Sequence, residues 1–147
     1  MTRLYLDVDG VLLTVRRKRA APGVAEFVAE ATRLFDCFWL TTHCRSLEDL
    51  PWIRYYLGQF LPADIVSALE KSVRPAAWTT LKTEALDWNS DFFWLDDAAM
   101  EAEQAELAAH GCLDRLVPVD LNREGELKRV LDVVCAAQGL RRARTAL

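Results

Sequence analysis

Histidine is scarce in this chain, with two residues, and the four cysteines (Cys37, Cys44, Cys112 and Cys135) show no paired spacing. A zinc centre draws on closely spaced thiols or imidazoles, so this pattern argues against one. Three of the cysteines lie in or beside apolar segments. They are expected to be reduced, which fits a cytoplasmic location. No apolar run approaches the ~18 residues that span a bilayer. No signal or transit segment precedes the first predicted strand, so a membrane partner is not expected. No Gly-x-Gly-x-x-Gly follows that strand, which excludes a dinucleotide-binding Rossmann domain. Repeats, low-complexity tracts and linkers are missing too.

What remains is 147 residues, 52% hydrophobic, with a formal net charge of −4. That is enough chain for one domain with a real core and too apolar for a disordered one. The acidic balance argues against wholesale nucleic-acid binding. The basic residues are uneven, however, and two runs, Arg16-Arg17-Lys18-Arg19 and Arg141-Arg142-Ala143-Arg144, leave local basic patches open.

Leu4 to Leu6 is a short apolar run that predicts a buried strand, delivering Asp7 and Asp9 where Gly10 lets the chain turn. If the strand continues, the two carboxylates point the same way, and if it turns there they diverge. Val11 to Ala21 is expected as a loop or small hairpin. Pro22 opens a helix whose Val24, Phe27, Val28, Ala31, Leu34 and Phe35 recur along one face. Cys37–Leu40 predicts a second strand, ending in the polar cluster Thr41-Thr42-His43-Cys44-Arg45. Ser46 or Asp49 caps the next helix, with Trp52, Ile53, Tyr56, Leu57 and Phe60 on its apolar face, and the tryptophans are read as core. A strand is expected over Asp64–Leu69 and a helix over Ala76–Asp87 carrying Lys82. Phe92–Leu95 predicts another strand, ending in Asp96-Asp97, before a helix with Ala98, Ala102, Ala105 and Ala109 on its packing face. Arg115–Val119 is the last strand, and Asn122 caps a helix packing through Leu127, Val130, Leu131, Val134 and Cys135. Alternating strands and helices predict one α/β domain over residues 1–139, a parallel sheet of about five strands with helices on both faces, and a frayed basic tail at 140–147.

Strand ends thus present Asp7 and Asp9, Thr41 and Thr42, and Asp96 and Asp97 at the edge where open α/β sheets bind ligands. Four carboxylates at one edge make a hard oxygen-ligand site that suits Mg²⁺. A metal, a hydroxyl and a lysine converging on an aspartate is what phosphoryl transfer requires. Thr41 could equally end a strand, Lys82 could be a solvated residue with Lys71 as rival, and Asp97 could be only a helix cap.

In these motifs the chain resembles the haloacid dehalogenase superfamily in its phosphatase branch: Asp7-Val8-Asp9-Gly10-Val11, then Leu40-Thr41, Lys82 and Trp94-Leu95-Asp96-Asp97. Trp39–Thr42 and Phe93–Asp97 are similar to the small members of the superfamily, some of which are associated with RNA repair. The resemblance implies a three-layer Rossmann-like fold and an aspartyl-phosphate mechanism. Asp7 would be the nucleophile. Asp9 would be the acid and base, its proton held near neutral pH. Thr41 and Lys82 would hold phosphoryl oxygens. Asp7, the backbone carbonyl of Asp9 and Asp96 would ligate Mg²⁺, with Asp97 outside them. Thr42, His43, Arg45, Arg16 and Arg17 are the candidate substrate contacts.

Family members acting on small metabolites usually carry an inserted cap domain, and neither connection here has room for one. An open cleft is expected, suited to a phosphate on a large partner such as a nucleic-acid end or a phosphoprotein. The alternatives are a phosphate- or nucleotide-binding module that kept the fold without turnover, and a receiver-like signalling domain, disfavoured because Trp39-Leu40-Thr41 supplies no central acid.

Overall fold

The structure is a computed structural model that describes residues 1–146, with side chains described through Gly139. Five parallel strands, β1 (Arg3–Leu6), β2 (Asp36–Trp39), β3 (Val73–Pro75), β4 (Phe92–Asp96) and β5 (Leu116–Pro118), form one sheet in the order β3-β2-β1-β4-β5. Strand β1 lies between β2 and β4, pairing Leu6 with Trp39 on one side and with Leu95 on the other. The chain leaves β1 towards one edge and later returns to build the other, so the β1/β4 boundary is the sheet's switch point.

Side-chain alternation divides the core in two. Leu4, Leu6, Cys37, Trp39, Phe93, Leu95 and Val117 face a layer of α1 (Val24–Leu34), α2 (Leu50–Gly58), α3 (Ala63–Ser72) and α5 (Glu126–Ala146). Tyr5, Phe92 and Trp94 face Trp78, Leu86 and Leu107, the last on α4 (Glu101–Ala109). An α/β fold of the Rossmann-like kind, with a five-stranded parallel sheet, is therefore as expected. Among the described residues no folded insert interrupts the order of elements, and no helix is long and apolar enough to cross a membrane.

Four local expectations are corrected. Asp64–Leu69 is not a strand but part of α3, where Ile65, Val66 and Leu69 bury one helical face behind Pro62. The third strand is the three-residue β3 that follows. Ala76–Asp87 is not a helix: only a 3₁₀ turn at Lys82–Ala85 forms. The Glu84 carboxylate accepts the N–H groups of Thr79, Thr80 and Leu81, satisfying in an extended segment the donors a helix would have used.

On α4 the packing face is Glu103 and Leu107, and Ala98, Ala102, Ala105 and Ala109 are exposed. Asn122 caps nothing. It sits in a turn, and α5 begins at Glu126, whose carboxylate accepts the Asp120 N–H. That helix runs to Ala146, through the segment expected to fray. The side chains of 140–146, including the second basic run, and the whole of Leu147 lie outside the described residues.

Candidate active site

Three acids meet at the carboxyl ends of β1 and β4. One carboxylate oxygen from each of Asp7, Asp96 and Asp97 lies within 4.8 Å of the others. The Asp7 side chain is 13% exposed and that of Asp96 is 3% exposed, while Asp97 is open to solvent. Gly10, at φ +86°, turns the chain beneath them, and a Cβ there would fall on the Asp97 carboxylate. Only glycine leaves that acid its place.

Lys82 closes the cluster from the opposite layer. Its ammonium donates to Asp7 Oδ2 at 3.1 Å and to Asp96 Oδ2 at 2.7 Å, whereas the rival Lys71 is exposed near the end of α3. Asp7 also accepts the Val8 N–H at 2.8 Å, and Asp96 accepts that of Ala98 at 2.9 Å. Burial and the Asp96 charge push the Asp7 carboxyl up to about 7, with Lys82 opposing them. Burial and Asp96 also raise Asp97. For Lys82 burial works against the charge, and the two acids outweigh it, so the ammonium is held above its ordinary value.

The side chain of Asp9 turns the other way, so the diverging alternative for the two carboxylates is the one realised. Asp9 Oδ2 lies 2.8 Å from His43 Nε2, and Oδ1 accepts from the Tyr56 hydroxyl at 2.9 Å and pairs with Lys18 at 3.2 Å. The Lys18 ammonium also donates to the Tyr56 oxygen at 2.6 Å. His43 stacks on the Tyr56 ring, with centroids 4.0 Å apart. Burial raises the Asp9 carboxyl, but the three donors outweigh it and hold the group below its ordinary value. The expectation of a proton kept on Asp9 near neutral pH is therefore corrected: charge-assisted hydrogen bonds favour its ionised form. Its carboxylate also stands apart from the three-acid cluster.

Thr41 is fully buried at the end of β2, and its hydroxyl oxygen accepts the His43 N–H at 3.2 Å. Thr42 is exposed in the same turn. Arg45 lies over the Trp78 ring at 4.2 Å and donates to the Thr79 carbonyl, which braces the segment leading to Lys82. Arg16 and Arg17 are exposed at the tip of a narrow loop closed by the Leu13–Ala20 bridge. With Arg19 and Arg123 they line a groove of about 840 Å³ that reaches Gly10 and Asp97.

The sequence did not disclose Tyr56, Lys18 or Glu103 as parts of this arrangement. Tyr56 sits on the apolar face of α2, as expected, and its signal was the hydroxyl, which needs a partner once buried. Glu103, 2% exposed, accepts the N–H of Lys82 at 2.7 Å and that of Met100 at 2.9 Å, fastening the Lys82 turn to α4.

Oxygen donors converging beside a solvent-open acid, with Lys82 as counter-cation, fit a small hard cation that keeps part of its water shell. Asp7, Asp96 and Asp97 are the residues that could hold it. Comparison with protein-family models, with curated proteins and with solved structures gives no match to this chain.

Proposed function

We propose that this chain is a magnesium-dependent phosphomonoesterase of the haloacid dehalogenase type, with Asp7 as nucleophile. The observation that carries it is the Asp7 carboxylate at the sheet's switch point, nearly buried, bridged by Lys82 to Asp96 and flanked by Asp97. When bound by these acids, Mg²⁺ supplies positive charge against the phosphoryl oxygens.

The remaining work falls to the chain's own groups. Lys82 neutralises a second face of the phosphoryl group, and Thr41 has a hydroxyl proton to donate to it. Asp7 attacks phosphorus, the ester P–O bond breaks, and the leaving oxygen takes a proton. Water then attacks the aspartyl phosphate and loses its proton to Asp9, freeing Asp7 and inorganic phosphate. Asp9, held ionised at rest, takes the water proton as the base of the second step and gives that proton to the leaving oxygen of the next turnover, so the count closes over the cycle. With no folded insert over the site among the described residues, the cleft admits a phosphate carried on a large substrate. The four free cysteines fit a reducing compartment and support a cytoplasmic setting.

One observation favours a phosphate-binding module without turnover: three donors already engage Asp9. Hydrolysis of a generic aryl phosphate decides between the two. The expected result is turnover that needs Mg²⁺, stops with chelator and is lost in Asp7→Asn. Phosphate binding without turnover by folded wild-type protein would establish the module instead.

A further inference from the structure

Four of the five tryptophans pack into the fold, but Trp52 is 49% exposed and its neighbour Tyr55 is 64% exposed. Single exposed apolar residues are ordinary. These two, however, continue a run of rings that begins at the site. His43 and Tyr56, both bonded to Asp9, are stacked. Trp52 follows at 6.0 Å from Tyr56, and Tyr55 at 5.9 Å from Trp52. Exposure rises outward along this run, from 9% at Tyr56 to the two open rings. Both lie on α2, which the Tyr56–Asp9 hydrogen bond and the buried Ile53 and Leu57 fix relative to the acids. The platform is therefore preformed.

We propose that Trp52 and Tyr55 form a subsite for the base of a nucleoside phosphate, on the Asp9 side of the cleft where the leaving group departs. This rests on the phosphatase reading of Asp7. The spacing selects the ligand. His43 and Tyr56, both bonded to Asp9, are the rings nearest the site, within reach of an aryl group attached directly to the ester oxygen. A base is held further from the phosphate by its ribose, and Trp52 is the next ring outward, 6.0 Å from Tyr56. The Lys18 ammonium, 5.3 Å from the Tyr56 ring centroid, adds a cation at the inner end of the same surface. Both a free nucleotide and the end of a strand present this chemistry, because every base has a face that stacks on an aromatic ring.

The test compares adenosine monophosphate with ribose 5-phosphate, which keeps the ester and lacks the base, in wild type, Trp52→Ala, Trp52→Phe and Tyr55→Ala. Wild type should prefer the nucleotide in kcat/KM by about ten-fold, the scale of one base stacked on one ring. Trp52→Ala should remove most of that preference while leaving ribose 5-phosphate unchanged, and Trp52→Phe should restore it. Binding of adenosine monophosphate to Asp7→Asn, with and without Trp52→Ala, reads the platform without turnover. Loss of binding with Trp52→Ala in a chain that hydrolyses nothing would uphold the subsite and sink the phosphatase. Turnover with equal use of the two substrates, or a preference untouched by Trp52→Ala, would overturn the subsite and leave the phosphatase standing. A strand ending in phosphate that outcompetes the mononucleotide assigns the subsite to strand ends, and the reverse assigns it to free nucleotides. Both need the platform. Self-association lost with Trp52→Ala, beside an unchanged substrate preference, would make the rings a protein contact and overturn the proposal.

Discussion

Replacing Asp7 by asparagine should stabilise the metal-free protein at pH 8 and do progressively less as the pH falls towards 4.5. Burial first, and the Asp96 charge second, hold the Asp7 carboxyl at about 7 against an ordinary 3.8. Between those values the folded chain keeps a proton that the unfolded chain has released, so native stability falls as pH rises through that window. At 1.36 kcal/mol per pH unit, a displacement of roughly three units sets a ceiling of about 4 kcal/mol. Water entry and relaxation around a site with Asp97 exposed should leave about 1–2 kcal/mol of this, a rise of roughly 2–8 °C in Tm. Asparagine removes the ionisation while leaving Lys82 paired with Asp96. Thermal melts of both proteins at four pH values, with chelator present, measure the difference. Magnesium should reverse the order, because wild type gains about 2.7 kcal/mol at a hundred-fold excess over Kd and the variant lacks a ligand. A difference in Tm that stays flat from pH 4.5 to 8, or a variant less stable at pH 8 without metal, would refute the account of Asp7.

Lys82→Met should cost about 3 kcal/mol or more at neutral pH without metal, since it strips the counter-cation from two largely buried acids; chemical denaturation reads the loss, and Mg²⁺ should recover part of it. Glu103→Gln keeps one acceptor for the two N–H groups of Lys82 and Met100, so a loss of about 1–3 kcal/mol is expected, together with a lower kcat. Wild-type kcat with an equal stability loss would show that the anchor is not needed for turnover. Gly10→Ala forces a side chain into a φ of +86° and onto Asp97, and calorimetry should find Mg²⁺ binding weakened at least ten-fold, whereas unchanged affinity would remove Asp97 from the site. Titrating Mg²⁺ into wild type near pH 7 should release protons, measured as a buffer-dependent heat, because the cation competes with the proton that Asp7 otherwise keeps.

The legible parts of the sequence were those where one period dominates. Leu4–Leu6 and Phe92–Leu95 are strands buried on both faces, and such runs read plainly as apolar, as does Cys37–Trp39, where only Phe38 is half-buried. The acids that follow them landed at the sheet edge for the same reason. The stretch from residue 63 to 88 was not legible. Ile65, Val66 and Leu69 suit a short helix as well as a buried strand, and β3 has three residues, too few for any period. Trp78, Leu81, Ala85 and Trp88 imitate a helical stripe, yet only Trp78 among them is fully buried, and the segment is organised by Glu84, an exposed acid without periodic meaning. The alanines of α4 suggest a close-packing face, but Leu107 and the carboxylate of Glu103 fill that role. Lys82 reached its place even so, because two buried acids in the facing layer attract whichever cation the loop brings near.

Asp7 and Asp9 are two residues apart, and their surroundings push them in opposite directions. Asp7 sits among acids with one lysine and takes up a proton more readily than an ordinary carboxyl. Asp9 sits among donors and gives one up more readily. Without metal the pair therefore keeps a proton more readily on Asp7, the proposed nucleophile, than on Asp9, the proposed acid and base. Pairs of titratable groups driven apart in this way mark acid and base assignments in enzymes, but on the phosphatase reading the assignment would be inverted until charge arrives at the three-acid cluster. On that reading, a divalent cation there would displace the Asp7 proton and free the proposed nucleophile, and a phosphate bound beside Lys82 would bring negative charge towards Asp9 and raise that group's affinity for a proton. On the phosphatase reading, both ligands would have to be present before the two carboxylates hold the charges that phosphoryl transfer needs.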